Sequence, residues 1–181
     1  MQKTKKERYY KDKLKNVFVD KNTTYYEELP ISSSRADCIT LSDKGIVYEI
    51  KTDLDSLQRL SSQISDYYKA FSMVYVVVGK KHLERVIDIL DNTPVGIYEL
   101  TERGFVCHKT ATIYNSKLSY NTMFQMLRKK EFEKIVKEVN GELPKVNDFV
   151  YYRTCLEIIR NKLDIISFQK YVINALKERI N

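Results

Sequence analysis

The chain has 181 residues, of which 43% are hydrophobic and 30% charged, with a formal net charge of +7. This composition excludes a disordered chain and a membrane protein, and the length suits one domain with a real core and at most an appendage. The longest apolar run, Met73 to Val78, is too short to span a bilayer, no secretory signal opens the chain, and Cys38, Cys107 and Cys155 show no disulfide or zinc spacing, so a cytoplasmic protein without membrane contact is expected.

The first segment carries Lys3, Lys5, Lys6, Arg8, Lys11, Lys13 and Lys15 against Glu7 and Asp12, with Tyr9 and Tyr10 between them. Such a run suits phosphate attraction and base stacking, with Lys5, Lys6 and Arg8 as nucleic-acid contacts. It equally reads as a solvated charge run, or as a helix over residues 4–18 that buries Tyr9, Tyr10, Leu14, Val17 and Phe18. Residues 35–41 and 46–52 read as strands joined by Asp43-Lys44-Gly45, a type I turn followed by a left-handed glycine. That loop pairs Ser42 with Ile46 and sets Asp37 opposite Lys51. Asp37, Ile39 and Leu41 then share a face with Val47, Glu49 and Lys51.

Residues 54–71 read as an amphipathic helix with Leu57, Leu60, Ile64 and Phe71 inward and Asp53 or Asp55 as its cap. Met73–Val78 reads as a central buried strand, residues 81–91 as a helix, and residues 95–100 and 105–111 as a second hairpin. Past Asn115 the pattern becomes helical. Met123, Leu127, Phe132, Ile135, Val136 and Val139 form one stripe closed by Asn140-Gly141, and helices over 148–160 and 167–180 follow. The expected fold is therefore α/β: a mixed central sheet flanked by helices over residues 1–115, with a helical extension over 116–181 packing on it.

The charged residues inside the first hairpin carry the chemistry. A strand that buries one face does not carry a carboxylate and an ammonium there without a reason. Two carboxylates offer hard oxygen ligands to Mg²⁺ or Mn²⁺, and a neighbouring lysine stabilises charge at a phosphodiester. His82 and His108 are isolated from each other and from any cysteine pair. Five glycines in the whole chain exclude a nucleotide-binding phosphate loop.

Asp37 followed by Glu49-Ile50-Lys51 resembles the PD-(D/E)xK signature of the restriction-endonuclease-like nuclease superfamily, with Ala36 in place of the proline. Gln63-Ile64-Ser65-Asp66-Tyr67 is similar to the Q-x-x-x-Y element of RecB-like members. Arg35-Ala36-Asp37, Tyr48-Glu49-Ile50-Lys51, Asp55-Ser56-Leu57-Gln58-Arg59-Leu60, Gln63 and Tyr67 together resemble a family of small, mostly uncharacterised bacterial and phage proteins in that superfamily, over about residues 27–113. The resemblance implies a restriction-endonuclease-like core and a metal-dependent nuclease. Its catalytic residues would be Asp37, Glu49, Lys51, Gln63 and Tyr67, with Asp37 and Glu49 holding Mg²⁺ or Mn²⁺, and Arg35 and Arg59 contacting nucleic acid, DNA in preference to RNA. The superfamily's glutamate on a first helix finds no clear match; Glu27 and Glu28, close to Pro30, are the nearby candidates. The alternative is a catalytically silent module of the same fold, phage-encoded, that binds nucleic acid, a protein partner or a second copy through its C-terminal helices.

Overall fold

The computed structural model of the chain describes residues 2–180; Met1, Asn181 and the side chain of Lys3 lie outside the described residues. The chain divides into two compact units, Met1–Lys117 and Leu118–Asn181. In the first, helix α1 (Gln2–Phe18) precedes strands β1 (Thr24–Ile31), β2 (Ser34–Leu41) and β3 (Gly45–Lys51), followed by helix α2 (Leu60–Tyr67) and strand β4 (Met73–Val78). Helix α3 (Leu83–Leu90) leads to strands β5 (Gly96–Thr101) and β6 (Gly104–Lys109). The described strands form one six-stranded sheet in the order β1-β2-β3-β4-β5-β6. β3, β4 and β5 run parallel to one another, and the remaining neighbours are antiparallel. This mixed sheet with helices is the α/β class expected.

β4 is apolar and β-branched almost throughout because it lies at the centre of the sheet, and all of it past Met73 is buried. α1 is amphipathic: Tyr10 and Leu14 are buried at 3% and 1% exposure, and Phe18 extends the same stripe. They pack on Cys38, Tyr48, Ile50, Tyr75 and Val77 from one face of the sheet. The burial of Tyr10 and Leu14 supports the helix reading of the N-terminal segment, while Tyr9 and Val17 remain exposed. Cys38 and Cys155 are buried and Cys107 exposed, all as free thiols.

Three sequence expectations are corrected here. The first hairpin turns at Ser42-Asp43-Lys44, with Leu41 paired to Gly45. Gly45 is thus a strand residue without the left-handed backbone; a Cβ there would lie 2.4 Å from the Phe71 ring, so close packing is what requires glycine. The helix expected over 54–71 is shorter, because Asp55 accepts from the Thr52 amide at 2.8 Å and its hydroxyl at 2.7 Å, holding residues 52–55 as a loop. Asp55 therefore caps no helix, and Asp53 instead meets Lys6 and the Lys81 amide. β1 was not expected at all. Its sequence Thr-Tyr-Tyr-Glu-Glu-Leu-Pro-Ile interrupts alternation with two glutamates and a proline, the latter acceptable on an edge strand.

Tyr48, Tyr75 and Tyr98 stack in a row across β3, β4 and β5, with centroids 5.8 and 4.7 Å apart. Gly96, paired with Tyr75, makes room for this row: a Cβ there would lie 2.2 Å from the Tyr75 ring and 2.7 Å from the Ala111 amide nitrogen. Gly96→Ala must therefore displace backbone as well as a ring. It is expected to destabilise the protein by about 1–3 kcal/mol, seen as a lower midpoint of chemical denaturation with an unchanged slope.

The second unit contains α4 (Tyr120–Gln125), α5 (Lys129–Asn140), α6 (Asp148–Lys162) and α7 (Ile165–Glu178). The single stripe expected from Met123 to Val139 is two helices. Arg128 is extended and its amide donates to Glu131 at 2.7 Å, starting α5 afresh. Asn147 caps α6 and Asp164 caps α7. Among the described residues, no helix is long and apolar enough to cross a membrane.

Candidate functional site

β2 and β3 carry Asp37, Glu49 and Lys51 to one end of the sheet. The pairs Ile39↔Val47 and Cys38↔Tyr48, continued by one residue, set Asp37 across from Glu49 rather than Lys51. This is two residues away from the expected register. A shift of two preserves the faces, so the expected sharing of one face stands although the pairing does not. Asp37 leaves the ladder to accept the Ile50 amide at 2.7 Å.

Glu49 and Lys51 are only 1% and 6% exposed. Lys51 Nζ donates to Glu49 Oε1 at 2.5 Å and to Gln63 Oε1 at 2.9 Å. The fully buried Tyr67 hydroxyl donates to Glu49 Oε2 and also lies 3.0 Å from the Arg35 carbonyl. Burial, and then the charge of Glu49, push the Tyr67 hydroxyl up, so it stays protonated as a donor. A buried lysine is thus paired and hydrogen-bonded, as buried charge requires. Gln63 and Tyr67, one turn apart on α2, meet the lysine and the glutamate respectively, so the structure joins four of the five expected catalytic residues into one network.

Three carboxylates converge, and Asp37, expected to hold metal together with Glu49, is one of them. Glu7, Glu28 and Asp37 each offer an oxygen within 4.8 Å of the others. Glu49 is not among these three, and its two oxygens accept from Lys51 and Tyr67. Glu7 stands on α1, the first helix, and sequence reasoning missed it as one counter-charge in a basic run. Its signal was present: Glu7, Tyr10, Lys11 and Leu14 fall at helical spacing on the stripe that α1 turns inward. Glu28 lies in β1 between the pairs Glu27↔Cys38 and Leu29↔Ala36, across from Asp37. Its φ of 56° is left-handed, a conformation that costs a non-glycine residue about 1–3 kcal/mol and concentrates at functional sites. Lys11, 6% exposed, bridges Glu7 at 2.8 Å and Glu28. Burial alone would lower its pKa, but hydrogen bonds to Glu28 and Glu7 outweigh that and raise it.

Asp37 is partly buried and stands beside like charge. Burial, then the charge of Glu49, push its carboxyl from 3.8 up to about 8, with Glu7 adding to the rise and the Ile50 amide and Lys51 opposing it.

These groups line a cleft of about 710 Å³. Six carboxylates, Glu7, Glu28, Asp37, Glu49, Asp55 and Asp66, line its walls with Arg35, Lys51 and Arg59, while Lys11 engages Glu7 and Glu28 and Lys69 engages Asp66 from beside it. A locally acidic cleft in a chain of net charge +7 is a place for a cation. Arg35 and Arg59, the expected nucleic-acid contacts, are exposed at this cleft. Lys5, Lys6 and Arg8 do not line it. Lys6 bridges Asp53, Arg8 bridges Asp12 and Glu27, and Lys5 is exposed. Sequence reasoning gave Asp66 no role of its own, yet it fixes α2 to the β1–β2 turn. It accepts from Ser33 and Ser34 at 2.7 Å and from Lys69 at 2.7 Å. Burial opposes its ionisation, but hydrogen bonds from Lys69, Ser34 and Ser33 win and lower it to about 2. The two histidines are structural: His82 meets the Asp55 carbonyl and His108 meets Glu99.

The family model described as bacteriophage P4 protein cII matches residues 1–181, and the chain belongs to that family. Protein cII of Enterobacteria phage P4 is 25% identical over 157 residues, covering 81% of this chain and 55% of that protein. The chain thus spans about half the length of this curated relative. Among solved structures, a protein of unknown function from Silicibacter pomeroyi aligns with a TM-score of 0.43 at 14% identity, over 71% of this chain and 86% of the other. SfsA of Pyrococcus furiosus, solved in complex with Ca²⁺, aligns with a TM-score of 0.36 at 12% identity, over 62% and 65% of the two chains.

Proposed function

We propose that the chain is a metal-dependent nuclease that hydrolyses phosphodiester bonds of nucleic acid, with DNA the first substrate to test. The observation that carries this reading is the acidic cleft, in which three converging carboxylates stand beside a buried lysine held by Glu49 and Gln63.

The donor set fits a hard divalent cation. Carboxylate oxygens are the ligands Mg²⁺ and Mn²⁺ prefer, and Asp37, raised to about 8 by burial and like charge, is a group that a cation would relieve. Asp37, Glu7 and Glu28 would hold the ion. When bound, it lowers the pKa of a ligated water and neutralises phosphate charge. The protein's own residues do the rest. Lys51 presents its ammonium to the phosphate, where negative charge grows in the transition state. Glu49, Gln63 and Tyr67 fix that ammonium and its neighbours in place. Arg35 and Arg59 hold flanking phosphates at the cleft wall.

One observation favours the silent-module alternative: Val146 and Phe149, at the start of α6, are 41% and 95% exposed, as a docking surface would be. A cleavage assay separates the two readings. Labelled single- and double-stranded DNA and RNA are incubated with Mg²⁺ or Mn²⁺ against EDTA. Cleavage of at least one substrate with metal and none with EDTA is the expected result, and no cleavage of any of the four overturns the nuclease reading.

A further inference from the structure

Helix α1 lines two clefts. Glu7 faces the acidic one, and Lys6, Tyr9 and Tyr10 line a second of about 860 Å³. This second cleft lies where β3 and β4 end, at Asp53, Gly79 and Lys80, and reaches Thr101 and Arg103 at the β5–β6 turn. In sheets with parallel strands, the region beyond the carboxyl ends is where ligands bind.

The structure sorts the cations of the basic N-terminal segment. Lys6 is taken by Asp53, Arg8 by Asp12 and Glu27, and Lys11 by Glu7 and Glu28. Lys5 and Lys13 are left exposed, and with Tyr9 between them they recur every four residues along one face of the helix. Tyr9 is 47% exposed. Its ring is braced edge-on by the buried Tyr10, centroids 6.3 Å apart, and Lys13 Nζ lies 5.5 Å from its centroid. The face reads Gln2, Lys5, Tyr9, Lys13 and Asn16, and the carboxylate at its edge, Asp12, is engaged by Arg8. At the second cleft Lys80 and Arg103 are also exposed, while Asp53 is engaged by Lys6 and Glu99 by His108, leaving Glu102 at the turn.

We infer that the Lys5–Tyr9–Lys13 face and the cleft beside it bind single-stranded nucleic acid, an unpaired base stacking on Tyr9 while Lys5, Lys13, Lys80 and Arg103 meet phosphates. An exposed ring between cations offers a stacking platform with charge for the backbone on either side. A duplex encloses its base faces and cannot use the ring in this way. The inference rests on the nuclease reading for its meaning, since it makes a single strand the substrate class of the neighbouring acidic cleft. Its binding chemistry is independent of cleavage.

The test is fluorescence anisotropy in EDTA, where no metal-dependent cleavage proceeds, with labelled oligo-dT, oligo-rU and a mixed-sequence DNA duplex. Tyr9→Ala is expected to weaken single-strand binding roughly 5- to 100-fold and to leave duplex binding unchanged. Tyr9→Phe keeps the ring and is expected to bind as the wild type does. Replacing Lys5 and Lys13 together by Gln is expected to reduce the slope of log affinity against log salt by about 1.4, which is two contacts on a single strand. The dT and rU arms show whether the strand is DNA or RNA. Wild-type affinity for both single strands in Tyr9→Ala, or an equal loss on the duplex, overturns the inference. A Tyr9-dependent interaction in a protein that cleaves nothing overturns the nuclease reading alone, whereas cleavage with Tyr9-independent binding overturns this inference alone.

Discussion

Lys51→Ala is expected to abolish cleavage, with a loss of roughly 10²- to 10³-fold from removing one preorganised charge at the reacting phosphate. The ammonium has no ready substitute, since Arg35 and Arg59 are exposed at the walls and the other buried lysine, Lys11, is held by Glu7 and Glu28. The variant also removes the cation from a glutamate that is 1% exposed, and breaking a buried pair from one side is destabilising in its own right. A second variant keeps the test decisive. Glu49→Gln retains an amide oxygen and nitrogen for Lys51 and Tyr67 but removes the charge, and it is expected to fold and to lose cleavage as well. Turnover rates on the best substrate from the four-substrate assay, read beside circular dichroism of each variant, give the result. A folded Lys51→Ala protein that cleaves at the wild-type rate sinks this assignment.

Much of the fold was legible because its signals were local. The β-branched run of β4 could only be a buried strand, and the Glu102-Arg103 turn marked a hairpin on its own. What failed depended on tertiary contact. Gly45 looked like a turn glycine, but the Phe71 ring decides its position, and no local rule contains Phe71. β1 escaped notice because its identity comes from pairing with β2 at the sheet edge rather than from alternation. Residues 54 and 55 looked helical until Asp55 turned back on Thr52, a competition between side chain and backbone that propensity does not rank.

The candidate site divides in the same way. Glu49 and Lys51 stood out because charge inside an apolar strand is anomalous, and Gln63 and Tyr67 share a helical face by spacing alone. The acids of the convergent cluster come from three elements, α1, β1 and β2, and only Asp37 lay in an anomalous context. Glu7 was hidden among lysines, although its spacing to Tyr10, Lys11 and Leu14 placed it on the buried stripe. Glu28 was a nearby candidate beside Glu27, and what separates the two is its position across from Asp37 in the folded chain.

The crowding of these acids has a consequence for stability that needs no substrate. Asp37 faces Glu7 and Lys11 from α1, Glu28 from β1, and Glu49 and Lys51 from β3, and its carboxyl is raised from 3.8 to about 8. Between those two values the folded protein holds a proton at Asp37 that the unfolded chain has released. Stability therefore falls as pH rises through that window, because the folded state binds more protons. Each unit of such a shift is worth about 1.4 kcal/mol, so even a fraction of it is measurable. In EDTA, the wild-type melting temperature is expected to drop from pH 5 to pH 8 more than that of Asp37→Asn, whose amide oxygen still accepts the Ile50 amide but never ionises. Mg²⁺ or Mn²⁺ at pH 8 is expected to restore the wild type by binding only the folded state, and to do so far less in Asp37→Asn or Glu7→Gln. Parallel pH profiles for the wild type and Asp37→Asn would show that Asp37 is not under charge pressure. A metal response that survives both substitutions would place the ion elsewhere than at Glu7, Glu28 and Asp37.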